Sequence, residues 1–164
     1  SFYKIMYSIR KTIFINSVTA ARIKYIQDLR NNIAEFCGLW NSKEVSGYGI
    51  GSIYLIRIGV AITALLGLDC IMAFCSPFTV ANSQSVGLRV ITELGDNGTF
   101  LYPKEGLVAT IMELEDVYEM KRAKPEERDF VFDLINNPDQ TVNVPSKMGS
   151  LEIEFNLSSY NVCL

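Results

Sequence analysis

The sequence predicts a membrane protein with a single transmembrane helix, preceded by amphipathic surface helices and followed by a small α+β domain. Three observations carry that expectation. Residues 53–74 form an apolar run whose only charges are Arg57 and Asp69. The stretch before the run is basic and the stretch after it acidic, although the whole chain carries only -3 at pH 7. The apolar spacing is helical ahead of the run and partly alternating behind it. A length of 164 residues allows one domain, or one small domain with an embellishment. With 49% hydrophobic residues and a mean hydropathy of +0.19, the chain is neither disordered nor fibrous. The predicted organisation is an amphipathic segment at 1–40, a linker at 41–52, the span at 53–78 and the distal domain at 85–164.

Residues 1–50 hold seven basic and three acidic residues. Phe2, Ile5, Met6, Ile9 and Ile13 keep helical spacing, as do Ile26, Leu29, Ile33, Phe36, Cys37 and Trp40, with Ser17 as an N-cap and Gly38 as a stop. Basic residues on the polar sides suit helices lying on anionic headgroups or on a larger protein. Five basic residues and no acidic one in 1–27, behind a first residue that is Ser1, fit an organellar transit peptide equally. A cleaved signal peptide is not expected, because so long a stretch precedes the apolar run.

The linker contains Gly47, Gly49 and Gly51. Gly47-Tyr48-Gly49-Ile50-Gly51 does not complete GxGxxG, no strand is expected before it, and a membrane helix is expected after it, so nucleotide binding is not predicted.

Read as one helix, residues 53–74 extend about 33 Å, enough for a hydrocarbon core of about 30 Å. Arg57 would snorkel to the headgroups. Asp69, about 18 Å further along, would sit past the midplane, protonated or covered by protein. Trp40, Tyr48 and Tyr54 form the expected interfacial belt, and the lysine and arginine bias puts the amino terminus on the stromal, matrix or cytoplasmic side. Gly59, Thr63 and Gly67 recur every four residues, a small-residue stripe that admits a partner helix or a flat cofactor.

Beyond the span, residues 76–164 hold seven basic and fourteen acidic residues. Val90–Leu94 and Thr99–Tyr102 around Asn97-Gly98 read as a hairpin. Leu107, Ile111, Leu114 and Tyr118 keep helical spacing, although Leu107–Met112 also reads as a strand. Pro125–Ile135 opens with proline and acids, as a helix should. Thr141–Val144 reads as a strand, and Leu151, Ile153, Phe155 and Leu157 alternate more cleanly than any other segment.

The chemistry is mostly negative. The chain has no histidine, which removes the commonest general base and metal ligand. Cys37, Cys70, Cys75 and Cys163 are scattered, with no CxxC pattern, and read as small buried hydrophobes. The acids Glu113, Glu115, Asp116, Glu119, Glu126, Glu127 and Asp129 lack a calcium-loop pattern and read as solvated faces. Sequons stand at Asn97 and Asn156. The expectation is therefore a non-catalytic accessory subunit of a large membrane complex, photosynthetic or respiratory, in a thylakoid or mitochondrial inner membrane. Other membrane subunits and the lipid bilayer are the expected partners, and nucleic acid is not. No cofactor or metal is required; a bound pigment or lipid is the addition the span suggests, with Asp69 at the furthest an oxygen ligand to pigment magnesium. Two alternatives remain: a single-span receptor or adhesion protein, and an ion-coupled, stator-like subunit using Asp69.

Overall fold

A computed structural model describes residues 8–9, 33–37, 48–101 and 106–158. In chain order the described elements are β1 (Ser8–Ile9), β2 (Ile33–Cys37), α1 (Ile53–Leu65), β3 (Cys70–Cys75), α2 (Val80–Ser85), β4 (Arg89–Val90), β5 (Thr99–Leu101), β6 (Val108–Leu114), α3 (Pro125–Asn136), β7 (Asp139–Ser146) and β8 (Gly149–Asn156). They make a small α/β fold, and among the described residues no helix is long and apolar enough to cross a membrane.

The predicted span is two elements. α1 has 13 residues, about 20 Å of helix, and stops well short of a bilayer's hydrocarbon core. The stop is a Schellman motif: Gly67 N–H donates to Ala64 O (2.9 Å) and Leu68 N–H to Thr63 O (3.0 Å), with Gly67 at φ +69°. After this turn the remaining apolar residues form β3. Because β3 lies inside the sheet and is buried on both faces, Cys70-Ile-Met-Ala-Phe-Cys75 shows no alternation, and its run merges with that of the helix before it. The integral-membrane expectation, with its thylakoid or mitochondrial placement, is overturned here.

The larger sheet runs β1-β2-β3-β6-β4, with β5 pairing β6 on the same side as β4. β2 and β3 are parallel, with Ile33 opposite Cys70 and Phe36 opposite Ala73, and α1 is their crossover. Every other pairing in this sheet is antiparallel. The second helix expected in the amino-terminal third is thus a strand at 33–37; the rest of that expectation, including Ser17, Gly38 and Trp40, lies outside the described residues.

The distal segment is closer to expectation. α3 begins with Pro125 and carries Glu126 and Glu127 in its first turn, where acids complement the helix dipole. β7 and β8 form a separate antiparallel hairpin, with Leu151, Ile153, Phe155 and Leu157 all buried. Residues 108–114 are a strand rather than a helix; β6 is covered on both faces, and burial rather than periodicity placed its apolar residues. The Asn97-Gly98 turn is present, with Asp96 and Thr99 exchanging backbone hydrogen bonds, but β4 and β5 pair with β6 instead of with each other.

One core cluster joins α1, α3, the hairpin and the sheet face that presents Phe36, Ile71, Ala73, Met112 and Leu114. A smaller cluster on the other face gathers Met72, Ile91 and Ile111 with Ile33, Phe74, Leu94 and Phe100. The stripe expected to admit a second helix is used within this chain. Gly59 is buried against the Phe36 ring, and a Cβ there would overlap ring carbons. Thr63, fully buried, donates its hydroxyl to Gly59 O at 2.8 Å. Gly59→Ala is expected to destabilise the fold by about 1–3 kcal/mol through overpacking. Gly67→Ala, where nothing lies within 4 Å, is expected to cost about 1–2 kcal/mol from its positive φ alone. Denaturant unfolding of the two variants measures both; a Gly59→Ala protein as stable as the parent would contradict the close packing on Phe36.

Candidate functional site

The predicted site residues divide between the core and its rim. Arg57, expected among headgroups, is buried between α1 and α3. Its Nε and Nη2 donate to Glu127 Oε2 (2.6 Å) and Oε1 (2.9 Å), a two-pronged pair with side chains 13% and 10% exposed. Its guanidinium carbon lies 4.8 Å from the Tyr54 ring centroid and 4.4 Å from that of Phe130, so Tyr54 closes an aromatic clamp rather than an interfacial belt. Burial pulls the Arg57 pKa down, but the hydrogen bonds and charge of Glu127 outweigh it and hold Arg57 above its ordinary value. The clamp joins the two helices, with both carboxylate oxygens of Glu127 engaged by Arg57.

Asp69 stands in the turn between α1 and β3, where its backbone carbonyl accepts the Val117 N–H at 2.9 Å. Tyr48 and the glycines after it lead into α1. Contrary to expectation, a strand does precede this loop in the sequence and a buried crossover helix follows it. The loop is held by its own chain: Tyr48 O accepts Lys147 N–H at 2.8 Å, and Ser52 Oγ accepts Asn82 Nδ2 at 3.1 Å. Among the described residues no three His, Cys, Asp or Glu side chains come together as a metal site.

Two arrangements that the sequence did not single out emerge from the topology. The first is a charged cluster along β4 and β6. Arg89 stands opposite Glu113 in the β4–β6 register, and the two form an ion pair. Arg89 also reaches Glu115 (3.2 Å) and Glu93 (3.9 Å), and Arg122 binds Glu115 at 2.5 Å. Burial pushes the Glu113 carboxyl up, against the pull of Arg89. Burial also pushes Glu115 up, but Arg122 and Arg89 outweigh it and hold this more exposed carboxyl below its ordinary value.

The second is an apolar rim at one end of the sheet. Phe78 and Leu101 are 86% and 90% exposed, Met148 74% and Val108 38%. Leu101 and Val108 are register partners where β5 ends and β6 begins. Cys75, the last residue of β3, is opposite Thr110 in β6, so Phe78 projects from the turn that leaves the same end. Met148 tips the β7–β8 hairpin, which is tied to Tyr48 through Lys147, while Ser52 on the same loop is tied to Asn82 of α2, just past Phe78. The fifth exposed large side chain, Tyr118, sits at the other end of α1, its hydroxyl donating to Ala64 O at 3.2 Å.

Comparison with family models, with curated proteins and with solved structures found no match to this chain.

Removing one half of the buried clamp leaves the other charge without a counter-ion. Glu127→Ala is expected to cost about 3–5 kcal/mol in chemical denaturation, and the paired replacement Arg57→Met with Glu127→Leu appreciably less. Equal losses for the single and the paired variant would contradict the clamp.

Proposed function

We propose that the protein is a non-catalytic subunit that works by docking on a partner protein through its apolar rim. The observation that carries this reading is the convergence of Phe78, Leu101, Val108 and Met148 at one end, four of the five large apolar side chains exposed among the described residues. Scattered surface apolar residues need no explanation, but a group at one end of a small domain is what a binding surface requires. The accessory-subunit expectation is retained in this form, without the transmembrane span.

The side chains themselves select the partner. Phenylalanine, leucine, valine and methionine offer no charge and no hydrogen-bond donor, so the surface that covers them is an apolar protein patch.

Photo-crosslinking residues placed at Phe78 and Met148 of the full chain test the reading, with Tyr118 as the control at the far end. The expected outcome is one crosslinked protein at the two rim positions, lost in Leu101→Asp, with its crosslinked peptide apolar. Crosslinks to lipid, to a second copy of this chain, or with equal yield at Tyr118 would overturn it. Leu101→Asp itself is expected to change stability by no more than about 0.5 kcal/mol, because the side chain is 90% exposed.

A further inference from the structure

The β7–β8 hairpin has two outer edges, and they differ in what they offer. Leu157 N–H donates to Pro138 O at 3.0 Å, and this bond sets the phase of the ladder. Register partners that exchange hydrogen bonds alternate with partners that do not, so Gln140–Phe155, Val142–Ile153 and Val144–Leu151 are the bonded pairs. The backbone groups of Thr141, Asn143 and Pro145 on β7, and of Ser150, Glu152 and Glu154 on β8, therefore point away from the other strand. On β7 the outward row is broken by Pro145, which has no N–H to give. On β8 the row is continuous: Ser150, Glu152 and Glu154 are exposed, and among the described residues no hydrogen bond engages their outward N–H and C=O groups. β8 is also long for an open edge, with eight residues against two in β4 and three in β5 at the border of the larger sheet.

The side chains on this edge carry a charge pattern. Leu151, Ile153 and Phe155 take the core face, so Ser150, Glu152 and Glu154 take the solvent face. Across the hairpin Glu152 is opposite Asn143 and Glu154 opposite Thr141, and neither neighbour is a cation. Among the described residues neither carboxylate forms an ion pair.

We infer that the outer edge of β8 is a docking site for an extended segment of a partner protein, which adds a strand along Ser150, Glu152 and Glu154 and carries lysine or arginine at alternate positions. The outward N–H and C=O groups supply the main-chain bonds that hold such a strand. Residues opposite Glu152 and Glu154 share their solvent face, and cations there meet both carboxylates. The residues between them stand beside Leu151, Ile153 and Phe155, on the side turned to the core, and are apolar. A second copy of β8 does not fit, because antiparallel pairing along its length sets Glu152 against Glu152 or Glu154, and like charges directly opposite each other repel. The inference does not rest on the apolar rim, whose one residue from the hairpin, Met148, lies in the turn before β8.

Amide hydrogen exchange of the full chain, with and without synthetic peptides, tests the edge. In the free chain the amides of Leu151, Ile153 and Phe155, bonded to β7, are expected to exchange slowly and those of Ser150, Glu152 and Glu154 fast. A capped peptide alternating lysine and valine, matched in length to β8, is expected to slow the Glu152 and Glu154 amides about tenfold or more. A peptide alternating glutamate and valine, and one that groups the same lysines at one end, should leave them fast. In the double variant Glu152→Lys with Glu154→Lys the preference should reverse to the glutamate peptide. Leu101→Asp should leave the protection unchanged, which separates this edge from the rim. Slow exchange of Glu152 and Glu154 in the free chain, no protection by the lysine peptide, equal protection by peptides of either sign, or protection lost in Leu101→Asp would overturn the inference. If the double variant fails to fold, the peptide comparison on the parent chain decides alone.

Discussion

The turn at Leu66 and Gly67 is the constraint on which the rest of the structure depends. It cuts one apolar run into a helix and a strand and sends the strand back along the face that the helix covers. Without the positive φ of Gly67 and the two hydrogen bonds that close the last turn of α1, β3 would not form. β3 is the parallel neighbour of β2 and the antiparallel neighbour of β6, so both halves of the larger sheet meet on it. The β2-α1-β3 crossover then fixes which sheet face receives α1, and Phe36 fills the space that Gly59 leaves open.

A second requirement arises from the same packing. α1 is buried along most of its length, yet it carries Arg57, a permanent charge. The cost of desolvating that charge is offset by Glu127, which reaches it from α3, and by the two aromatic rings that flank it. The first turn of α3 therefore supplies a counter-ion as well as a helix start, and Phe130 carries the contact onward to Phe155 of the hairpin. Among the described residues two further arrangements stand out, one apolar at the mouth of the sheet and one charged along the β4–β6 border. They lie on different parts of one strand: β6 begins at Val108 in the rim and reaches Glu113 in the charged cluster.

What could be read from the residues follows the degree of one-sided burial. β8 is covered on one face only, so its alternation was plain, and α3 has an amphipathic pattern with proline and acids at its start. β3 and β6 are enclosed on both faces and show no period-two signal, and in the five-residue β2 the apolar Ile33 and Phe36, three apart, also suit a helical spacing. The membrane reading failed for the same reason. Length and hydropathy register how much apolar material is contiguous, whereas the break at Gly67 depends on tertiary cover for both halves. The Arg57–Glu127 pair, 70 residues apart, and the cluster that joins Arg89 to Glu113 and Glu115 were invisible because no local pattern links their members. Arg57 within an apolar run was nonetheless a signal, and it pointed to a buried partner as much as to a membrane interface.

The division of residues 53–75 into a helix and a strand underlies the larger sheet and its cover. Backbone carbon chemical shifts of the full chain, recorded along this segment, report the conformation of each residue. Helical shifts from Ile53 to Leu65, an interruption at Leu66–Asp69 and extended shifts from Cys70 to Cys75 are the predicted result. An uninterrupted helical signature from Ile53 through Phe74 would contradict it.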